Sequence, residues 1–189
     1  MKYLIKLIFI CSCLLLQNKT LAADEPVNVS KKTTLGLYLT SKEAFEMKLK
    51  KKNQILFIDV RTRAEVAFVG MATIVDANIP YMIVGDWDEW DDKKNNFKLY
   101  PNSNFLPYFN DYIEEHGFNK DSLIILICRS GNRSSAATNL LAQVGYKRVY
   151  SVIDGFEGEK DNKKADNGWK NSGLPWDTHL EEEKMYMEF

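Results

Sequence analysis

Leu123-Ile124-Ile125-Leu126-Ile127-Cys128-Arg129-Ser130-Gly131-Asn132-Arg133-Ser134 is an unbroken aliphatic run that turns, at a single cysteine, into a polar loop containing glycine. A short continuous apolar run of this kind suits a strand covered on both faces, the usual condition in a parallel sheet. Beyond the loop, Ala136, Ala137, Leu140, Leu141 and Val144 recur at helical spacing, and Gly145 supplies a stop. The stretch predicts a strand over 123–127, a turn over 128–133 and a helix over 134–144.

The same alternation repeats on either side. Residues 55–60 form a second apolar run ending in Asp59-Val60-Arg61, and 74–79 form a third, stopped by Pro80. Short strands are also predicted within 33–39 and over 148–152. Thr40-Ser41-Lys42-Glu43 has capping-box spacing and opens a helix to about residue 50, while 105–116 is a helix that carries Pro107 in its first turn. Strands alternating with helices of this length imply an α/β domain built on a parallel sheet. Residues 82–104 break the pattern and are read as an irregular insertion. Their acidic cluster, Asp86, Asp88, Glu89, Asp91 and Asp92, lacks the ligand alternation and glycine of a calcium loop, so it is read as solvated.

The chain has 189 residues, with 25 Lys and Arg against 26 Asp and Glu, for a formal charge of −1. That length suits one domain with a substantial core. The absence of a basic surplus argues against nucleic-acid binding. Lys2 and Lys6, an apolar run over 7–16 and Leu21-Ala22-Ala23 stand in the order of a secretory signal. The run is short for a membrane span, which needs about 20 apolar residues. Residues 1–22 are therefore read as a signal peptide, with retention as an anchor the alternative. Residues 23–32 are a flexible leader, 33–178 the folded domain and 179–189 a tail. The protein is expected to be exported to the periplasm, with no membrane contact once the signal is cut. Cleavage also removes Cys11 and Cys13, leaving Cys128 alone, so neither an internal disulfide nor a cysteine-based zinc site can form.

Cys128 stands at the carboxyl end of the predicted central strand, where open parallel sheets hold their ligands. The amides of residues 129–133 can curl around its sulfur as a nest of donors, and the next helix adds its positive end. Arg129 and Arg133 bring full charges. Such surroundings favour a thiolate, so Cys128 is expected to be an exposed, ionised nucleophile in an anion cradle.

These segments together resemble the rhodanese family of sulfurtransferases. The resemblance rests on Leu56-Phe57-Ile58-Asp59-Val60-Arg61 with Glu65 and on the loop from Cys128 to Ser134. It rests also on Val149-Tyr150-Ser151-Val152-Ile153-Asp154-Gly155-Phe156 and on Gly173-Leu174-Pro175-Trp176. It implies a rhodanese-like three-layer α/β/α fold with a central five-stranded parallel sheet. It implies further that Cys128 takes sulfane sulfur from a small anionic donor such as thiosulfate and passes it, as a persulfide, to cyanide or a thiol. No metal and no organic cofactor is implied. Arg129, Ser130, Gly131, Asn132 and Arg133 would bind the substrate, with Arg129 or Arg133 holding the donor in line. Phosphatases and arsenate reductases on a similar fold carry one more residue between Cys and Arg. The six-residue loop from Cys128 to Arg133 favours a single sulfur over a tetrahedral oxyanion. A persulfide carrier serving a protein acceptor is the other alternative.

Asp59 and Arg61, at the end of the neighbouring strand, either brace the loop or serve structure, with Arg61 reaching Glu65 at i+4 spacing. Ser130 and Ser134 either donate to the sulfur or cap the helix. Trp87, Trp90, Trp169 and Trp176 are read as packing residues, and His116 and His179 as solvated.

Overall fold

The computed structural model describes residues 22–85, 89–159 and 167–185. Most of the signal-peptide reading, and Asp86, Trp87 and Asp88 of the insertion, lie outside the described residues. In chain order the elements are β1 (Tyr38–Leu39), α1 (Ser41–Lys51), β2 (Ile55–Asp59), α2 (Arg63–Val69), β3 (Met71–Ala72) and β4 (Ala77–Asn78). There follow β5 (Met82–Val84), β6 (Trp90–Asp91), β7 (Asn96–Phe97), β8 (Leu99–Pro101) and α3 (Phe105–Glu115). The chain then runs through β9 (Leu123–Ile127), α4 (Asn132–Gln143), β10 (Val149–Val152) and β11 (Trp176–Asp177). Among the described residues no helix is long and apolar enough to cross a membrane.

The central sheet has five strands in the order β1-β10-β9-β2-β4, every pair parallel. Strand β9 lies in the middle, paired with β2 from Ile55↔Leu123 to Asp59↔Ile127. Because strand side chains alternate between faces, the two strands divide their apolar residues between two cores. Leu56, Ile58, Ile124 and Leu126 meet Phe105, Phe109 and Ile113 of α3 and Ala137 and Leu141 of α4. Ile55, Phe57, Leu123, Ile125 and Ile127 meet Ala44 and Met47 of α1, Val66 of α2 and Trp169. Both faces are thus covered by helices, giving the three-layer α/β/α architecture. Cys128 continues the first set, in line with Ile124 and Leu126.

Helix α1 begins at the expected capping box: the Thr40 hydroxyl accepts from the Glu43 amide, and the Glu43 carboxylate accepts from the Thr40 amide. Helix α2 adds to the elements that the sequence pattern predicts. Thr62 and Glu65 make a second capping box at its start, a Thr-x-x-Glu signal that was legible in the sequence. Residues 82–104 are more regular than their composition suggests. Strand β5 pairs antiparallel with β8, and β6 with β7, so the segment is a β-ribbon. Its tip turns on Asp91, whose Oδ1 accepts from the amides of Lys93 and Lys94. That turn gives Asp91 a local task, in the manner of an Asx-turn.

Within residues 23–32, read as a loose leader, Lys31 is buried against the domain while Val27 and Val29 stand exposed. A single 3-10 turn at Val29–Lys31 is capped by the Asn28 side chain and rests on α4. Trp169 is fully buried and its Nε1 donates to Pro175 O at 2.9 Å, while Trp176 is partly exposed beneath Lys170.

Candidate active site

The parallel pairing holds through Val60, whose amide donates to Ile127 O at 2.8 Å, and the chain then leaves the sheet at Cys128. The turn depends on Gly131, which has φ +102° and where a Cβ would lie 2.4 Å from Ile153 O. Any side chain there would need both a left-handed backbone and a displaced carbonyl, so glycine is required. The turn brings the Gly131 amide back to donate to Cys128 Sγ at 3.1 Å and makes Gly131 the N-cap of α4. The sulfur therefore lies at the positive end of a helix. Gly155 backs the outer arm of the loop: a Cβ on it would stand 2.6 Å from the Arg129 backbone. The loop carbonyls of Cys128 and Arg129 accept from the amides of Phe156 and Glu157 at 2.8 and 2.9 Å.

Cys128 is only 1% exposed, which corrects the expectation of an exposed nucleophile. The reason is the strand register. Its side chain follows Leu126 onto the α3/α4 face, and the loop folds back over it. Ser134 Oγ, also fully buried, lies 3.5 Å from Sγ, 3.0 Å from Gly131 O and 2.9 Å from Ser151 Oγ. A hydroxyl has one proton, and Gly131 O, which can only accept, takes it while Ser151 Oγ, able to act as donor or acceptor, lies beside it. Ser134 therefore fixes the loop as well as touching the sulfur.

A cleft of about 800 Å³ opens beside the loop, with Arg129 and Ser130 on one wall and Val27, Lys31, Asp154 and Glu157 among the others. It reaches the site through the two loop residues, since Cys128 does not line it. Arg129 is exposed, and Asn132 is exposed at the start of α4.

The two arginines of the sequence reading have distinct partners. Arg133 forms a two-pronged ion pair with Glu65, Nη1 donating to Oε2 at 2.6 Å and Nη2 to Oε1 at 2.5 Å. Burial pushes the Glu65 carboxyl up, but the hydrogen bonds and charge of Arg133, with the amide and hydroxyl of Thr62, bring it down to about 2. Burial also opposes the charge on Arg133, yet Glu65, with added attraction from Cys128 and Asp59, holds its pKa above the ordinary arginine value. Arg61 does not reach Glu65. Its Nε and Nη2 donate to Asp59, the latter at 2.7 Å, Nη2 also donates to Gly70 O at 2.8 Å, and the guanidinium lies 4.0 Å over the Phe156 ring. Both members of this pair are fully buried.

Sequence reasoning missed several residues around the loop. Asn78 Nδ2 donates to the carbonyls of Asp59 and Arg61 at 2.9 Å each, tying β4 to the end of β2. Ile153 and Gly155 back the loop, and Lys31 donates to Ile153 O at 2.7 Å. Gly155 was legible as the glycine of an Asp-Gly turn after a strand. Nothing local marks Lys31 or Asn78, whereas Ile153 stands in the Val149–Phe156 segment on which the family resemblance partly rests. Among the described residues, no group of three or more His, Cys, Asp or Glu side chains is placed to hold a metal ion.

A parallel α/β/α sheet with a cysteine-to-arginine loop entering a helix beyond its central strand defines a class, and the comparisons agree with it. The Rhodanese-like domain model matches residues 41–162, and the chain belongs to that family. An uncharacterized protein of Rickettsia rickettsii, the RP600 homolog, is 35% identical over 138 residues, covering 73% of this chain and 94% of its own. The thiosulfate sulfurtransferase GlpE of Tolumonas auensis is 38% identical over 53 residues, 28% of this chain and 45% of GlpE. The crystal structure of Rv0390 from M. tuberculosis superposes with a TM-score of 0.54 at 28% identity, covering 74% of this chain and 96% of that one. The family is of sulfurtransferase type.

Proposed function

We propose that the protein transfers sulfane sulfur through a persulfide on Cys128. The observation that carries the reading is the Gly131 amide directed at Sγ at 3.1 Å, at the N-terminus of α4, within a rhodanese-like domain. The Cys128 thiolate attacks the outer sulfur of thiosulfate. The sulfur–sulfur bond of the donor breaks, its electron pair leaves on sulfite, and Cys128 keeps one extra sulfur as Cys–S–S⁻. A thiol or cyanide acceptor then attacks that outer sulfur, and the electron pair returns to Sγ. Of the expected nest of amides over 129–133, the Gly131 amide is the one that donates to Sγ among the described residues. With the positive end of α4, it stabilises the anion at each stage without covalent chemistry of its own. The donor would approach from the cleft that Arg129 and Ser130 line, beside the buried sulfur. Export to the periplasm belongs to the same proposal and rests on the charge and hydropathy order of residues 1–22.

Intact mass measured with and without thiosulfate tests the reaction. A gain of one sulfur, about 32 Da, that cyanide removes and Cys128→Ser abolishes is the expected result. A wild-type chain whose mass never changes would overturn it. Release of phosphate from an aryl phosphate, lost in Cys128→Ser, would point to the phosphatase reading instead.

A further inference from the structure

Lys31 lies ahead of the family-matched residues 41–162, yet it is 4% exposed and bonds to two groups that bear on the Cys128 loop, Ile153 O and Ser135 Oγ. Its ammonium donates to Ile153 O at 2.7 Å and pairs with Glu159 Oε1 at 2.5 Å. Ile153 O is the atom that a Cβ on Gly131 would strike, so this carbonyl packs directly on the glycine whose amide donates to Sγ. The main-chain carbonyl of Lys31 makes the second contact. Ser135 Oγ lies 2.8 Å from both Lys31 O and Gly131 O, and its one proton is shared between them. Nearby, Ser30 Oγ stands 3.1 Å from Asn132 Oδ1, and Asn139 Oδ1 accepts from the Thr34 amide at 2.7 Å. The segment thus runs along α4, and the two contacts of Lys31 bear on Ile153 O and Ser135, the groups that pack on and bond to Gly131.

A buried ammonium has a strong reason to keep such partners, since an unpaired buried charge is very costly. Ile153 O is therefore fixed more firmly than a carbonyl in an ordinary turn. Its position limits where Gly131 can sit, and Gly131 sets the direction of its own amide. We infer that Lys31 is a positioning residue for sulfur transfer, holding the Gly131 amide on Cys128 Sγ through the Ile153 carbonyl. The leader is on this view a working part of the site. The inference rests on the proposed sulfur transfer for its kinetic consequence, but its structural consequence can be read separately.

The test uses the full chain carrying Lys31→Met, Lys31→Arg or, as a mild surface change, Ser30→Ala. Hydrogen exchange of the Gly131 amide, followed by NMR, reads its bond to sulfur, and single-turnover persulfide formation from thiosulfate reads the chemistry. In Lys31→Met, Gly131 exchange should quicken and persulfide formation should slow, each by about tenfold, the size of one lost hydrogen bond. Amides of β9 should keep their protection and the donor KM should hold. Lys31→Arg, which can still donate to Ile153 O, should recover most of both effects, and Ser30→Ala should move both in the same direction by a smaller factor. Unchanged Gly131 exchange in Lys31→Met would overturn the inference. So would loss of protection in Gly131 and β9 together, the mark of plain destabilisation. If Lys31→Met does not fold, an unaltered Gly131 exchange in Lys31→Gln, whose shorter, uncharged amide cannot keep the 2.7 Å bond to Ile153 O, would overturn it. A wild type that forms no persulfide would sink the sulfur-transfer reading alone, since the exchange measurement does not depend on it.

Discussion

Glu65 holds both terminal nitrogens of Arg133, with bonds of 2.6 and 2.5 Å between the first turns of α2 and α4. One of the two arginines offered by the sequence as a substrate clamp is thus already engaged, with a partner at the start of α2. The pair joins two helices on opposite faces of the sheet at the end where Cys128 emerges. It places a fixed positive charge near the sulfur and leaves Arg129 as the exposed cation at the cleft.

Separate roles for the two arginines should appear in kinetics. Arg129→Ala should raise the thiosulfate KM by about tenfold, the worth of one charge-assisted hydrogen bond, with little change in kcat or stability. Arg133→Ala should lower kcat and stability together, by freeing α4 from α2 and leaving Glu65 unpaired. Steady-state rates over a range of thiosulfate, with urea unfolding of each variant, check both. A KM effect confined to Arg133→Ala would reverse the assignment.

The same ion pair predicts an acid limit. Glu65 has an ordinary carboxyl value of 4.5 and is held at about 2 in the folded protein, so its stabilisation is complete above about pH 4.5 and drains away as pH falls toward 2. The amount at stake is about 3 kcal/mol. Urea midpoints measured through that window should fall with pH in the wild type, and less steeply in Glu65→Gln. Parallel curves for the two proteins would contradict the assignment.

Gly131→Ala should abolish the site without emptying it. A Cβ 2.4 Å from Ile153 O, on a backbone with φ +102°, forces the loop to shift and carries the amide off Sγ. Loss of one preorganised donor to a developing anion costs about a hundredfold or more in rate. Persulfide formation measured by mass should fall by at least that factor, while total Cys128 thiol in unfolded protein stays unchanged. A rate within a few-fold of the wild type would mean that the Gly131 amide does not act on the sulfur.

Arg61→Lys should destabilise the protein even though it keeps the charge. The guanidinium satisfies Asp59 and Gly70 O together and covers Phe156, and an ammonium cannot reproduce that fork or that stack. Arg61→Met, which leaves the buried Asp59 carboxylate unpaired, should cost about 3–5 kcal/mol, and Arg61→Lys about 1–3 kcal/mol through the lost hydrogen bond and stack. The measurement is the urea midpoint of each variant. A loss under about 1 kcal/mol would show, in Arg61→Met, that the pair is dispensable and, in Arg61→Lys, that the fork and stack are.

Patterns with short range were readable from the chain alone. The aliphatic runs at 55–60 and 123–127 and the capping box at Thr40–Glu43 are local signals, and each gave its element nearly to the residue. Cys128 was legible because strand, turn and helix follow one another in sequence, and the Thr62-x-x-Glu65 box was there to be read. What the tertiary structure decided is who faces whom. Glu65 and Arg133 are 68 positions apart, and Lys31 and Ile153 are 122 apart, separations that no local spacing encodes. The burial of Cys128 was settled by strand parity and by the loop closing over it. Local sequence sets backbone preference through sterics and hydrogen bonding between near neighbours, whereas charge partners and the covering of a sulfur depend on which elements the sheet order sets side by side.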